Sequence, residues 1–204
     1  MRKLLCKITY MKYYRGTSND GQPANGGSFV KENGYGHEEY NFDPVYIDNH
    51  DKPVCLGFFE TKSNRGKTNQ LHIEKLEGCE LLKKEDRADD VLVVWCATPK
   101  DGIPKVVGWY KHASVFRNYQ MCEFDSGYVQ YYNIIADADN CFLLPYTMRG
   151  SMDWHAPNTA EHGFGFGRAM QLFANDERSD EYMDRLIKQI ESYDGESVAD
   201  LLQS

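Results

Sequence analysis

The chain lacks the sequence patterns that mark several large classes of protein. Its six cysteines are scattered singly without a CxxC pair, which argues against a zinc site and favours a reduced, cytoplasmic protein. No apolar run approaches the roughly 18 residues of a membrane span, and the first residues contain no apolar signal-peptide segment. HExxH, GxSxG and Walker motifs are absent, and residues 163–168, GFGFGR, do not form GxGxxG. We therefore expect no bound cofactor or metal and no membrane association.

What is present is typical of one globular domain with a real core. The 204 residues are 41% hydrophobic and 26% charged. The net charge of -8 is unevenly distributed, because residues 175–204 carry nine acids and three bases. The rest of the chain is therefore close to neutral, and such a body can hold a local basic groove.

Residues 91–117 form the most informative stretch, which predicts two strands and a turn. Val91–Cys96 is an almost unbroken apolar run, which favours a strand buried on both faces. The return strand, KVVGWY, contains Gly108, which marks a bulge or a close approach of another segment. Trp109 and Tyr110 must point to opposite faces. We expect one ring to be core and the other to line a pocket, and Trp109 to be the pocket ring because its stacking face is larger.

The remaining pattern predicts an α+β fold of seven or eight short strands and one helix. Further strands are predicted at residues 7–14, 54–61, 71–76, 129–136 and 169–173, with a continuation at 113–117. Residues 137–144 read as a turn followed by a short apolar run that ends at Pro145. Residues 149–167 read as loop. Ser179 is the expected N-cap of an amphipathic helix in the acidic tail. We assign residues 1–174 to one domain and residues 175–204 to an acidic helix that packs on it.

Aromatic rings near glycine-rich loops can sandwich an extruded base, and polar groups can read its edge. The candidate pocket residues are Trp109, Tyr110, Trp154, Phe42, Asn41 and Ser28, with Tyr13 and Tyr14 as further rings. The candidate phosphate-binding residues are Lys31, Lys62, Arg65, Lys67, Lys111, Arg117 and Arg149. On composition alone, core rings and solvated lysines explain these residues equally well.

Two other functions compete with this interpretation. Asp51, Glu60 and Lys62 resemble the acid and ExK pattern of a metal-dependent nuclease, although the predicted order of elements does not match that core. The acidic helix would instead suit a protein-interaction module. His37-Glu38-Glu39 and the pair His155 and His162 lack the ligand spacing of a recognised metal scaffold.

Several segments together resemble a known family. These are MKYYRGTSND, GGSFV, GHEEYNF, VVWCATP, VVGWYKHASVFR and GFGFGRAMQLFA, spread from Tyr10 to Tyr193. They resemble the N-terminal modified-DNA recognition domain of modification-dependent HNH restriction endonucleases, a relative of the EVE, YTH and PUA-like domains.

The resemblance implies a curved PUA-like β-barrel with few flanking helices. It also implies that a modified base, such as 5-methylcytosine, is flipped out of double-stranded DNA into an aromatic pocket. Trp109 lies in the best-matched block. The sequence contains no HNH segment, so we expect a reader without catalysis in a restriction or defence system. The nuclease would be a separate or fused partner.

Overall fold

The computed structural model describes residues 1–16, 36–61, 70–100 and 102–202, and within these ranges it has an α+β fold. In these described ranges, eight strands form one sheet, and two α-helices and six short 3-10 helices surround it. The strands are β1 Arg2–Ile8, β2 Pro44–Val45, β3 Val54–Gly57, β4 Arg87–Ala97, β5 Lys105–Glu123, β6 Val129–Asp137, β7 Cys141–Leu143 and β8 Gln171–Leu172. The α-helices are α1 Thr159–His162 and α2 Glu177–Glu191, and the 3-10 helices are His37–Tyr40, Ile73–Lys75, Leu82–Lys84, Ala138–Asn140, Met152–Trp154 and Val198–Leu202.

The long strand β5 organises the sheet, whose strand order is β2-β3-β6-β5-β4-β1-β8. One edge of β5 pairs with β4, and the other edge pairs first with β7 and then with β6. All the strand pairs are antiparallel except β1 with β4, which run parallel. The predicted hairpin of β4 and β5 is confirmed, as is the continuation of β5 through residues 113–117.

The sheet is covered by apolar side chains on both faces. Val91–Cys96 of β4 is buried throughout, as its sequence predicts. One face holds Trp95 and Tyr110, and the other holds Trp109 together with Met183 and Leu186 of α2. The sheet therefore separates these two apolar layers.

Strand β3 approaches β4 across the first of these layers, although β6 and β5 lie between them in the sheet. A Cβ atom added to Gly57 of β3 would lie 2.6 Å from the Trp95 ring of β4. Three strand spacings span about 14 Å. Only a curved sheet brings these two strands so close across the layer, and the absent side chain at Gly57 makes room for the indole.

Helix α2 is amphipathic, as predicted, but it begins earlier. The Asp176 side chain, rather than Ser179, accepts a hydrogen bond from the backbone N–H of Arg178 and caps the helix. Ser179 is buried and donates to the backbone carbonyl of Asp176. The buried positions Tyr182, Met183, Leu186 and Ile190 face the sheet.

Three predicted strands have different bounds or a different structure. The prediction of a strand at residues 71–76 is wrong, since Ile73–Lys75 is a 3-10 helix. Leu71, Ile73 and Leu76 are all buried there, and their alternation reflects turns folded onto the core. The first strand ends at Ile8, well before Tyr14, whose φ of 55° belongs to a turn, and β3 ends at Gly57 rather than at residue 61. No helix of the described ranges is long and apolar enough to cross a membrane.

Candidate functional site

Trp109 and Tyr110 are both core residues with no exposed surface, so the prediction that one of them lines an open pocket is corrected. The Trp109 ring stacks on Trp154 at 5.4 Å and on Phe142 at 5.8 Å, at interplanar angles of 13° and 18°. Tyr110 lies on the opposite face of the sheet, where its hydroxyl donates to the backbone carbonyl of Asn41. Stacking on Trp109 would require a base to displace one of its neighbours. Trp154, which is almost completely buried, has the same packing role.

Asn41 and Phe42 are also structural. The Asn41 side chain accepts from the backbone N–H of Phe58 at 2.9 Å and donates to the carbonyl of Phe58 at 3.0 Å. Its amide is therefore engaged by the protein backbone and not offered to a base edge. Phe42 is fully buried against Tyr14 and Tyr110.

Two of the predicted phosphate-binding arginines stabilise the fold. The Arg149 guanidinium is buried and donates to the carbonyl oxygens of Leu144, Met11 and Lys12 at 2.9, 2.7 and 2.8 Å. Arg117 donates to the Glu74 carboxylate at 2.8 Å and to two backbone carbonyls.

The other predicted contacts give less information about DNA. Lys111 is partly exposed, with its ammonium 5.1 Å from the centre of the Phe142 ring. Ser28, Lys31, Lys62, Arg65 and Lys67 lie outside the described residues.

The competing metal-site interpretations gain no geometric support. Asp51 and Glu60 are exposed, and Lys62 is outside the described ranges. The Oε1 atom of Glu161 lies 3.3 Å from His155 Nδ1 and 3.8 Å from His162 Nε2. Among the residues that the structure describes, no group of three or more His, Cys, Asp or Glu side chains could hold a metal ion.

The structure brings together four partly exposed rings, which we call the aromatic cluster: His37, Phe58, Tyr119 and Tyr131. Phe58 stacks on Tyr119 at 5.1 Å and 25°. The His37 ring lies 5.2 Å from Phe58 and 5.1 Å from Tyr131, with its edge toward Tyr131. Tyr131 is 41% exposed, so it offers a large accessible ring surface at the end of the β5–β6 hairpin.

Side-chain amides hold Phe58 in the aromatic cluster. After β3 the chain leaves the sheet, and Asn41 and Asn133 then replace a neighbouring strand. Asn41 bonds both backbone groups of Phe58, and Asn133 bonds both backbone groups of Phe59. The Tyr119 hydroxyl accepts from the N–H of Thr61 at 2.7 Å, which fixes the Tyr119 ring beside Phe58.

Two carboxyl groups border the aromatic cluster. Burial, with smaller contributions from the nearby carboxyl groups of Glu60 and Glu38, raises the pKa of Tyr119. Burial also raises the pKa of Glu38 to about 7, although the backbone N–H groups of Thr9 and Glu60 bond its carboxylate and favour the charged form. The Thr9 N–H lies 2.7 Å from Glu38 Oε2.

His37 completes the site as an uncharged ring at neutral pH, because partial burial lowers its pKa. Its Nδ1 accepts from the backbone N–H of Tyr131 at 3.5 Å, which places the ring proton on Nε2. The site thus combines partly exposed stacking surfaces with the buried Glu38 carboxyl group, which backbone N–H groups hold in place.

Sequence reasoning missed this arrangement for a clear reason. In the segment GHEEYNF, the sequence suggests His37 and Glu38 only as candidate metal ligands. Their partners Phe58, Tyr119 and Tyr131 come from three distant segments. The alternation of Tyr119 with Met121 on β5, opposite Tyr131 on β6, is the signal that could have indicated a ring-bearing face of the hairpin.

Comparison with known proteins adds no relative: no family model, no curated protein and no solved structure matches the chain.

Proposed function

We propose that this protein binds double-stranded DNA and recognises a modified base, a modified cytosine, at the aromatic cluster. The observation that supports this most directly is the group of neighbouring, partly exposed rings, among which Tyr131 is 41% exposed. A base extruded from the duplex gains about 1–3 kcal/mol by stacking on an aromatic side chain.

The ring arrangement favours a planar ligand of low charge. Tyr131 presents its exposed ring, and Phe58 and Tyr119 form a stacked pair behind His37. Partial burial lowers the pKa of His37 and so favours its uncharged ring, which suits contact with an uncharged base. Removing a base from the duplex costs a few kcal/mol. Contacts to the sugar-phosphate strand must offset the part of this cost that stacking does not.

The fold and biological setting form part of the same proposal. The curved eight-stranded sheet is of the PUA-like barrel type to which the sequence segments point. The protein acts in the cytoplasm as the reading module of a restriction or defence system, and the cleaving activity belongs to a separate or fused nuclease.

The proposal is tested by measuring binding of a fluorescent duplex that carries one 5-methylcytosine or one 5-hydroxymethylcytosine, against the same duplex unmodified. We expect tighter binding of a modified duplex at every salt concentration. Tyr131→Ala should reduce that preference by about tenfold, the equivalent of one lost stacking contact. It should lower the melting temperature only slightly, because 41% of the side chain is already exposed.

Tyr46→Ala is the matched control, since Tyr46 is a tyrosine with 70% exposure outside the aromatic cluster. It should keep the wild-type preference. Equal affinity of the wild-type protein for all three duplexes, over a range of salt concentrations, would reject modified-cytosine recognition.

A further inference from the structure

A concave surface lies between the turn that follows β1 and the segment that follows α2. We call it the basic cleft; its volume is about 480 Å³. The side chains that carry the argument are Lys12, Tyr13, Arg15, Tyr146 and Arg149, all of which line it. Glu196 is the one carboxylate among its described lining residues, so the cleft is positive while the whole chain is negative.

Two exposed tyrosines position the ammonium group of Lys12 at the cleft. Its Nζ lies 4.8 Å from the ring centre of Tyr13 and 5.8 Å from that of Tyr146. The two rings are 44% and 51% exposed. Cation–π attraction holds the lysine head between them. The cleft thus offers a positive charge flanked by two stacking surfaces, the combination found where proteins follow a nucleic-acid strand.

The floor of the cleft contains a buried positive charge. Arg149 is 1% exposed, and three of its hydrogen bonds go to neutral carbonyl oxygens. Tyr10, Tyr14 and Tyr146 surround it at about 6 Å. Neutral partners satisfy the N–H groups but do not cancel the charge, so the guanidinium makes the cleft attractive to an anion above it.

A backbone contact connects the chain segment of the basic cleft with the segment that carries His37. The N–H of Gly16, one residue after Arg15, bonds the carbonyl of Glu39 at 2.9 Å, and Glu39 follows His37 and Glu38 directly. The ring of Tyr40 lies against Gly16. A strand that delivers a base to the cluster would therefore pass close to the cleft.

We propose that the basic cleft binds the phosphodiester backbone of the DNA strand whose base enters the aromatic cluster, with Lys12 and Arg15 contacting phosphates and Tyr13 and Tyr146 packing on the adjacent sugar or base. This assignment rests on the proposed function, and it separates two tasks. The cluster selects the base, and the cleft supplies affinity that does not depend on the modification.

The test is the salt dependence of binding, measured by fluorescence anisotropy for the modified and the plain duplex with wild type, Lys12→Gln and the control Lys188→Gln. Lys188 is an exposed lysine of α2, so its replacement changes the net charge equally. We expect Lys12→Gln to weaken binding of both duplexes about three- to tenfold near 0.15 M salt and to reduce the slope of log affinity against log salt by about 1. Lys188→Gln should change neither the slope nor the affinity.

The two proposals can fail separately. If wild type prefers the modified duplex but Lys12→Gln keeps its slope and affinity, the cleft assignment is wrong and base recognition stands. If wild type shows no preference but Lys12→Gln still reduces the slope for both duplexes, the cleft binds DNA and base recognition fails. Tyr146→Ala provides a second variant, which should weaken binding of both duplexes equally. If it instead lost only the preference for the modified duplex, the division of tasks between cleft and cluster would be contradicted.

Discussion

The indole rings of Trp109 and Trp154 lie almost parallel, 5.4 Å apart, in the apolar layer that also contains Met183 and Leu186 of α2. The ring of Tyr193 closes this stack with its edge toward Trp109. The stack connects β5, the segment 152–154 and the residues that directly follow α2. Trp109 is thus a residue on which the attachment of α2 depends.

Trp109→Ala should lower the free energy of unfolding by about 3–5 kcal/mol, because it leaves a large cavity in a layer that cannot collapse around it. The measurement is urea unfolding followed by circular dichroism. Tyr46→Ala, at a site with 70% exposure, is the control and should cost less than about 0.5 kcal/mol. A variant of wild-type stability that has lost DNA binding would instead identify Trp109 as a pocket ring.

Asn41→Ala should destabilise the protein by about 1–3 kcal/mol for each backbone group of Phe58 that loses its partner in a buried setting. It should also weaken the preference for modified DNA, because Phe58 would no longer be held against Tyr119. Asn118→Ala, an exposed asparagine of β5, should change neither property. Retention of both stability and preference in Asn41→Ala would show that the amide does not position this segment.

The parts of the fold that the sequence predicted are those determined by local patterns. The apolar run Val91–Cys96 predicts a buried strand. The helical spacing of apolar residues in α2 predicts a helix with one buried face. The role of Trp109 could not be predicted in this way, because alternation assigns a side chain to a face without saying what covers that face. Arg149 illustrates the same limit: two of its acceptors, Met11 and Lys12, precede it by 138 and 137 residues.

Gly108→Ala should be strongly unfavourable, since the new methyl group would overlap the backbone carbonyl of Phe142 and lie 2.6 Å from the Phe42 ring. The carbonyl belongs to β7, which pairs with β5 at this residue, so it cannot move without breaking the pairing. We expect a loss of about 1–3 kcal/mol. Gly150→Ala is the matched control, because an added Cβ there meets nothing within 4 Å. Equal melting temperatures for the two variants would contradict the close approach that the sequence predicted at Gly108.

Glu38 should make the stability of the protein depend on pH, in a direction set by its raised pKa. Burial raises this pKa from 4.5 to about 7, so the folded chain binds the proton more tightly than the unfolded chain. The resulting stabilisation is fully present below about pH 4.5 and is lost as the pH rises through about 7. The glutamine in Glu38→Gln cannot ionise, so this variant does not lose that stabilisation as the pH rises.

Wild type and Glu38→Gln should therefore be compared by urea unfolding at several values between about pH 4.5 and pH 8. The glutamine can still accept from the N–H groups of Thr9 and Glu60, so the variant should fold. We expect the difference in unfolding free energy to shift steadily in favour of the variant as the pH rises, with most of the change between about pH 5 and pH 7. Glu60→Gln, which alters an exposed carboxyl group beside the same cluster, provides the control for a simple change of net charge. Parallel pH profiles for wild type and Glu38→Gln would show that the pKa of Glu38 is the same in the folded and the unfolded chain, and they would contradict the raised pKa.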